Sequence, residues 1–124
     1  MICVDTSSFV AFIKGEQGRD VELAARAALD ELLVLAPVSV TELLSDPGLT
    51  PNLEAMVLKA PRVAITAGYW ERAGKLRRRL MRLGYRPKIA DTFIAQTCLD
   101  HGLPLITRDR DFEAFRKAAG IQIL

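Results

Sequence analysis

The sequence predicts an α/β protein in which helices cover both faces of a central parallel sheet. Short apolar runs, long enough only for strands, alternate with longer stretches whose apolar residues recur at helical spacing. Each run passes directly into the next helical stretch, and strands that alternate with helices in this way form parallel sheets with right-handed crossovers. The 124 residues are expected to form one domain, 1–124, with a core large enough to fold without a disulfide.

The first half of the chain contains two strands and four helices in this prediction. The elements bounded by clear signals are strand 1–4, helix 6–14, helix 19–33, strand 34–38 and helix 52–59. Ser39 or Thr41 can cap a further short helix that carries Glu42. That helix ends at the proline-rich segment 46–51, whose Asp-Pro-Gly start favours a turn and to which we assign no function.

The second half repeats the alternation of strands and helices. Its predicted elements are strand 62–65, helix 68–83, helix 89–99, strand 103–107, a last helix around 112–119 and strand 121–124. Gly84 and Gly102 mark the ends of the two longer helices, since glycine readily adopts the left-handed conformation that closes a helix.

Composition excludes several classes of protein. Charged residues make up 26% of the chain and the net charge is +2, which is ordinary for a folded protein. The longest apolar stretch, 32–38, is far shorter than a membrane span, so we expect no membrane passage. The start MICVDTSS lacks the basic and small-residue pattern of a signal peptide, which predicts a cytoplasmic protein. Cys3 and Cys98 lie in apolar patterns and are predicted to be reduced core thiols.

Four carboxylates lie where predicted strands end or helices begin, namely Asp5, Glu42, Asp91 and Asp109. The carboxyl ends of strands and the starts of the helices share one edge of an open α/β sheet, and ligands bind there. Carboxylates about 4 Å apart repel by about 4 kcal/mol per pair at an effective dielectric of about 20. The pattern therefore predicts a site for a hard divalent metal ion.

Three of these acids also have structural interpretations. Asp5 can cap the helix that follows it, and Glu42 stands three residues after Ser39 in the spacing of a capping box. Asp91 lies in a first helical turn, where acids interact favourably with the helix dipole. These alternatives remain open at the level of sequence.

The segment after the strand at 103–107 carries further candidates. Asp109 follows this strand much as Asp5 follows the first, and the Thr107 hydroxyl can orient a carboxylate. Of the two acids Asp109 and Asp111, we predict that Asp111 is the helix cap. His101 adjoins a helix-ending glycine, at the opposite end of its helix from Asp91, and is interpreted as a C-terminal cap.

A run of basic residues within 72–88 suggests contact with a polyanion, with Arg77, Arg78 and Arg79 at its centre. The alternative is a solvated helix face, which commonly carries such charges. Trp70 could stack on a base, but it shares a helical stripe with Ala73 and Leu76, which favours packing in the core or in a dimer.

Four stretches together carry a resemblance to a known family. They are Val4-Asp5-Thr6-Ser7, Thr41-Glu42-Leu43, Ile89-Ala90-Asp91-Thr92-Phe93-Ile94-Ala95 and Thr107-Arg108-Asp109-Arg110-Asp111-Phe112. In order and spacing they resemble the PIN-domain family, and most closely its VapC branch of toxin ribonucleases from toxin–antitoxin (VapBC) pairs. The resemblance covers essentially the whole chain and implies a PIN-like three-layer α/β/α sandwich.

The resemblance also implies an activity and partners. Mg²⁺ or Mn²⁺ would be held by Asp5, Glu42, Asp91 and Asp109, with Thr6, Thr107 and Asp111 in supporting positions. The activity would be endonucleolytic cleavage of structured RNA (tRNA, rRNA or mRNA), with RNA contacts from Arg77, Arg78, Arg79 and Arg108. The partners would be a second copy of the chain and a VapB-type antitoxin whose tail lies across the acidic groove.

Two rival functions share features of this pattern. Phosphotransfer by a receiver-like or haloacid-dehalogenase-like domain also uses an aspartate after the first strand. The latter would require a second aspartate where this chain has Ser7, and a receiver would require an acidic pair near Asp5, so neither is supported. The other rival is a catalytically silent PIN-fold module that binds RNA or protein, and the presence of all four acids argues against it.

Overall fold

The computed structural model describes every residue from Met1 to Leu124. It contains three strands, seven α-helices and one turn of 3-10 helix. The strands are β1 (Ile2–Val4), β2 (Leu33–Val34) and β3 (Leu105–Ile106). The helices are α1 (Thr6–Ile13), α2 (Arg19–Leu29), α3 (Pro37–Leu44), α4 (Pro51–Lys59), α5 (Tyr69–Arg82), α6 (Ile89–His101) and α7 (Glu113–Ala119), and the 3-10 turn is Arg110–Phe112.

The strands form a parallel sheet in the order β2-β1-β3, with β1 at the centre. Cys3 of β1 pairs with Val34 on one side and with Leu105 on the other. Because all three strands run in the same direction, their carboxyl ends meet at one edge, and Asp5 leaves β1 there. The α/β fold class predicted from the alternating pattern is confirmed.

Helices bury both faces of the sheet, as the alternation of side chains along each strand requires. On one face Val4 and Ile106 pack with Phe9 of α1, Ala24 of α2 and Val57 of α4. On the other face, Cys3 and Leu105 pack with side chains of three further helices, among them Leu80 of α5, Ile94 of α6 and Phe115 of α7. Each apolar cluster fills the interface between one face of the sheet and the helices that cover it, which gives three layers: helices, sheet and helices.

The second strand differs from the prediction. Strand β2 ends at Val34, and α3 already begins at Pro37, whereas the sequence predicted a strand over 34–38 and a helix capped by Ser39 or Thr41. Proline at the first helical position fits the helix start, because its missing N–H would have no partner there. The apolar run therefore contains both the end of a strand and the start of a helix.

Three other boundaries also differ. Helix α2 ends at Leu29, four residues earlier than predicted, because the chain turns at Glu31, which has a φ of 57°. The predicted strands 62–65 and 121–124 are reduced to single parallel bridges, Leu35 with Arg62 and Leu105 with Ile123. These bridges extend the sheet at its two outer edges without forming ladders.

Both cysteines are free thiols buried in the interior, as predicted. No helix combines the length and the apolar character that crossing a bilayer would require.

Candidate metal centre

Three carboxyl groups converge at the carboxyl edge of the sheet. Asp91 is the third residue of α6, Asp109 follows β3, and Asp111 lies in the 3-10 turn. One oxygen from each of the three lies within 4.8 Å of the others. Helix α6 and the turn after β3 thus bring Asp91 close to Asp109, which lies 18 positions later in the chain.

Asp5 lies beside this group and is almost fully buried, with 3% of its surface exposed. Its Oδ2 accepts hydrogen bonds from Ser7 Oγ at 2.7 Å and from Thr107 Oγ1 at 2.9 Å. Asp5 occupies the N-cap position of α1, but its side chain makes no capping hydrogen bond to the first turn. The capping interpretation of this side chain is therefore wrong.

Thr107 connects two of the acids. Its hydroxyl donates to Asp5, and it accepts a hydrogen bond from the backbone N–H of Asp109 at 2.9 Å. The end of β3 is thereby fixed to the end of β1 through one side chain. This contact holds the Asp5 carboxylate in one orientation toward the neighbouring acids.

Burial and mutual repulsion raise the pKa values of two of these acids. Burial raises the pKa of Asp5 above its ordinary value, partly offset by the hydroxyl donors Ser7 and Thr107. Burial, followed by the nearby charges of Asp5 and Asp109, raises the pKa of Asp91 to about 7. Without a counter-cation, the cluster thus favours holding a proton near neutral pH.

The donor set fits a hard divalent cation. Mg²⁺ and Mn²⁺ prefer carboxylate oxygens, and Asp91, Asp109 and Asp111 offer one each within 4.8 Å. A bound cation would also relieve the repulsion that raises the pKa of Asp91. The chemistry of the side chains and their electrostatics point to the same ligand.

Glu42 is placed differently from the other predicted acids. It is exposed on α3, outside the group of three carboxylates, and its Oε1 lies 2.7 Å from Thr6 Oγ1, the donor of this hydrogen bond. Thr6 Oγ1 is also 2.9 Å from Ser39 Oγ. Since α3 begins at Pro37, Ser39 is inside the helix and the capping-box interpretation of Glu42 is wrong.

The cap after β3 is Asp109 and not Asp111, contrary to the sequence prediction, and both side chains belong to the acid group. Asp109 caps the 3-10 turn by accepting a hydrogen bond from the Asp111 N–H at 2.9 Å, while the Asp111 side chain joins the acid group. The Asp-Arg-Asp spacing was the available signal, because one tight turn can bring both carboxylates to the same side. Sequence reasoning gave Asp111 only a supporting position.

The arginines predicted to contact RNA are partly engaged within the protein. Arg108 donates to Asp20 at 2.8 Å and 3.2 Å and is 3.4 Å from Glu16. Arg77 donates to the Pro87 carbonyl and Arg79 to the Ala118 carbonyl. Arg78 is exposed on α5. Their charges remain, but Arg108 is neutralised locally by acids.

Two further side chains were assigned from the sequence. His101 ends α6 and its Nε2 lies 2.9 Å from the Ala64 carbonyl, so it connects α6 to the loop before α5, far along the helix from Asp91. Trp70 is 58% exposed and packs edge to face on Phe93, with ring centroids 5.3 Å apart. Trp70 is therefore not a core residue, which leaves an interface as its predicted role.

The comparisons with known proteins agree with this architecture. The sequence model of the PIN domain matches residues 2–118, and the chain belongs to this family. No curated protein sequence matches at a significant level.

Several solved structures share the fold. The structure of FitAB bound to an IR36 DNA fragment is 20% identical with a TM-score of 0.73, and covers 100% of this chain and 94% of its own. VapBC2 from Rickettsia felis, bound to a promoter DNA fragment, is 16% identical with a TM-score of 0.70, and covers 100% and 98%. A toxin–antitoxin complex from Klebsiella pneumoniae is 19% identical with a TM-score of 0.66, and covers 98% and 95%.

Proposed function

We propose that this PIN-domain protein is a metal-dependent endoribonuclease and the toxin of a VapBC-type toxin–antitoxin pair. The observation that carries the proposal is the group formed by Asp91, Asp109 and Asp111, whose oxygens lie within 4.8 Å of one another beside the buried Asp5. The substrate class is structured RNA, namely tRNA, rRNA or mRNA. The reaction is hydrolysis of a phosphodiester bond that leaves a 5′-phosphate and a 3′-hydroxyl.

Mg²⁺ or Mn²⁺ would be held by Asp91, Asp109 and Asp111, with Asp5 as a further ligand. When bound, the cation lowers the pKa of an attacking water and stabilises negative charge on the scissile phosphate and on the leaving oxygen. The protein supplies oxygen donors that are fixed before the substrate arrives. Asp109 is held by its hydrogen bond from the Asp111 N–H, and Asp111 is presented by the same turn.

Hydroxyl side chains orient the remaining carboxylates. Ser7 and Thr107 hold Asp5, and Thr6 holds Glu42 at the edge of the site. Glu42 is exposed and is no member of the three-carboxylate group, so it is free to act on a water molecule or on a second cation. Either Asp109 or Glu42 accepts the proton of the attacking water in this proposal.

The partners follow from the family. The similar structures from Rickettsia felis and Klebsiella pneumoniae are described as VapBC2 and as a toxin–antitoxin complex, which supports an antitoxin partner for this chain. We also propose a homodimer and a cytoplasmic location. An RNA contact at Arg77, Arg78 and Arg79 is the alternative use of this face of α5, because Arg77 and Arg78 line the groove between α5 and α6 through which the dimer would form. Because Arg108 is paired with Asp20, we place its role in the protein rather than on RNA.

Cleavage of cellular RNA tests this proposal. Purified protein, freed of any antitoxin, is incubated with total RNA and Mg²⁺ or Mn²⁺, and new 5′ ends are mapped. Discrete cuts with 5′-phosphates that disappear with EDTA and in Asp5→Asn are the expected result. No cleavage with either metal would favour the catalytically silent binding module.

A further inference from the structure

A cavity of about 320 Å³ lies against the acid group on its α7 side. Asp91 and Asp111 form part of its wall, so the cavity opens directly beside the proposed metal. The segment between α5 and α6, the 3-10 turn and the start of α7 form the rest. Four cations line it, Arg86, Lys88, Arg110 and Lys117.

The positive charges in this cavity are largely uncompensated. Its other acid, Glu113, is paired with Arg116 at 2.7 Å. Lys88 Nζ is 3.7 Å from Asp111 Oδ2 in an exposed pair. Arg86, Arg110 and Lys117 are exposed and take part in none of the ion pairs of the protein, which are formed by other cations.

These three cations differ from the arginines of the α5 face. Arg77 and Arg79 each donate to a backbone carbonyl, whereas the side chains of Arg86, Arg110 and Lys117 have no such partner. They also stand next to the acids, where a polyanion would otherwise be repelled. Cations at this position therefore offset the negative field of the site for an incoming nucleic acid.

We propose that this cavity binds the phosphodiester backbone of the RNA strand next to the scissile phosphate, through Arg86, Arg110 and Lys117. The inference rests on the proposed nuclease function and adds the path of the strand to it. Contacts from lysine and arginine to phosphate fix the register of a nucleic acid without reading its sequence. The volume is that of a small-ligand pocket, enough for a nucleotide unit.

Tyr85 extends the same subsite. Tyr85 lines the cavity and is 36% exposed, so its side chain is accessible to a ligand. Aromatic rings bind single-stranded nucleic acids by stacking on the bases, with little sequence preference. Phosphate contacts from three cations and a stacking ring together describe a site for a single-stranded or splayed segment of RNA.

The test compares two double variants that lose the same charge. Arg110→Gln/Lys117→Gln removes two cations of the cavity, and Lys14→Gln/Lys59→Gln removes two exposed lysines that follow α1 and end α4 and do not line the cavity. Binding of a short fluorescein-labelled single-stranded RNA is measured by anisotropy over a range of salt concentrations in Ca²⁺. Cleavage of the same RNA is measured separately in Mg²⁺.

The cavity variant is expected to bind RNA about tenfold more weakly than the control variant. The slope of its log affinity against log salt concentration should be smaller in magnitude by about 1.4, because each of the two lost phosphate contacts to a single strand contributes about 0.7. Tyr85→Ala should weaken binding without changing the salt slope. Circular dichroism of each variant verifies that it is folded.

Binding and cleavage are separate outcomes. Loss of affinity confined to the cavity variant supports the subsite even where the wild-type protein cuts no RNA, in which case the proposed catalytic function fails alone. Equal affinities and slopes in the two double variants overturn the subsite, even where the wild type cuts RNA. A cavity variant that binds RNA normally but loses an antitoxin peptide would assign the cavity to a protein partner and would also overturn the proposal.

Discussion

Asp91 has a strongly raised pKa among the acids of the candidate metal centre. Burial and the charges of Asp5 and Asp109 raise its pKa to about 7, from an ordinary value of 3.8. Lys88, at the N-cap of α6, opposes this shift only weakly because it is exposed. Ionised Asp91 therefore lowers the free energy of unfolding of the metal-free protein, and a bound cation would restore it.

This cost predicts how the stability of the metal-free protein depends on pH. The folded-state pKa of Asp91 lies above the unfolded value, so the folded protein binds more protons between about pH 4 and about pH 7. Its free energy of unfolding therefore decreases as pH rises through that window. Asp91→Asn should remove this part of the decrease and, in EDTA at pH 8, should be more stable than wild type by about 2 kcal/mol, a value reduced for partial solvent exposure.

Urea unfolding followed by circular dichroism at pH 5 and pH 8 measures this difference. Asp5 also has a raised pKa and is present in both proteins, so the comparison measures Asp91 together with its interaction with Asp5. Added Mn²⁺ should stabilise the wild type more than the variant. Identical pH dependence of wild type and Asp91→Asn would show that Asp91 is not strained by its neighbours.

Thr107 is predicted to act by positioning Asp5. Thr107→Val keeps the shape of the side chain but removes the donor to Asp5 Oδ2 and the acceptor for the Asp109 N–H. We expect kcat for RNA cleavage to fall about 10- to 100-fold with little change in KM, as for other partners of metal ligands. Thr107→Ser should restore most of the rate, and a valine variant with wild-type kcat would remove Thr107 from the site.

At the residue scale, the sequence predicted which acids lie at the carboxyl edge of the sheet better than it predicted what each one contacts. Asp5 and Asp91 were found because each stands at a strand end or a helix start, and that position alone puts it at the ligand edge. The cap was assigned to Asp111 instead of Asp109 because the direction of each carboxylate depends on the 3-10 turn. A turn of three residues leaves too little periodicity in a sequence to define side-chain directions.

At the scale of elements, the loop between α1 and α2 is fastened to the segment after β3. Arg108, next to Asp109, binds Asp20 through two nitrogens and also lies 3.4 Å from the Gln17 carbonyl. Gly18 permits this contact, with a φ of 148° at the start of α2. The contact connects the segment that carries Asp109 to α2, which covers the sheet face formed by Val4 and Ile106.

Gly18→Ala is predicted to weaken this connection. A Cβ at this position would lie 2.7 Å from Asp20 Oδ1 and 3.3 Å from Arg108 Nη2, on a backbone conformation that disfavours alanine. We expect a loss of about 1–3 kcal/mol in the free energy of unfolding. Gly74→Ala is the matched control, since its Cβ would meet nothing within 4 Å in the interior of α5 and should stabilise by about 0.5–1 kcal/mol. Equal unfolding midpoints in urea for the two variants would contradict the account.

Element boundaries were predictable where a local signal was strong. Helix α5 lies within one residue of its predicted bounds because amphipathic spacing and the glycines around it agree. The start of α3 was missed because residues 32–38 are almost uniformly apolar, and apolarity does not distinguish a buried strand from a buried helix. Pro37 was the signal that could have marked the helix start.

At the scale of the whole molecule, the α5 and α6 helices expose an apolar surface. A groove of about 630 Å³ lies between them, and Trp70, Met81 and Ile89 at this groove are each more than half exposed. The overall α/β architecture was predictable from the alternation of strands and helices. The exposed groove between α5 and α6 was not predictable, because the exposure of an apolar residue in a helical stripe depends on how the helix is rotated against its neighbours.

Dimerisation through this groove is the prediction at this scale. Wild-type protein should be a dimer by light scattering at micromolar concentration, and Trp70→Glu should shift it to monomer, because the charge would be buried against the partner. Leu29→Glu, at an exposed apolar position on α2, serves as the control and should remain dimeric. A monomeric wild type would overturn the dimer, and a dimeric Trp70→Glu would place the interface elsewhere.

The central claim is that Asp91, Asp109 and Asp111 hold the divalent cation on which RNA cleavage depends. The most direct measurement is the cleavage rate of one mapped RNA site as a function of Mn²⁺ concentration, in wild type, in Asp91→Asn and in the control Asp46→Asn, whose acid lies in the turn between α3 and α4. The account predicts saturable activation by Mn²⁺ in wild type and control, with Asp91→Asn slowed at least about 100-fold. Cleavage that persists in EDTA, or that proceeds equally fast in Asp91→Asn, would contradict it.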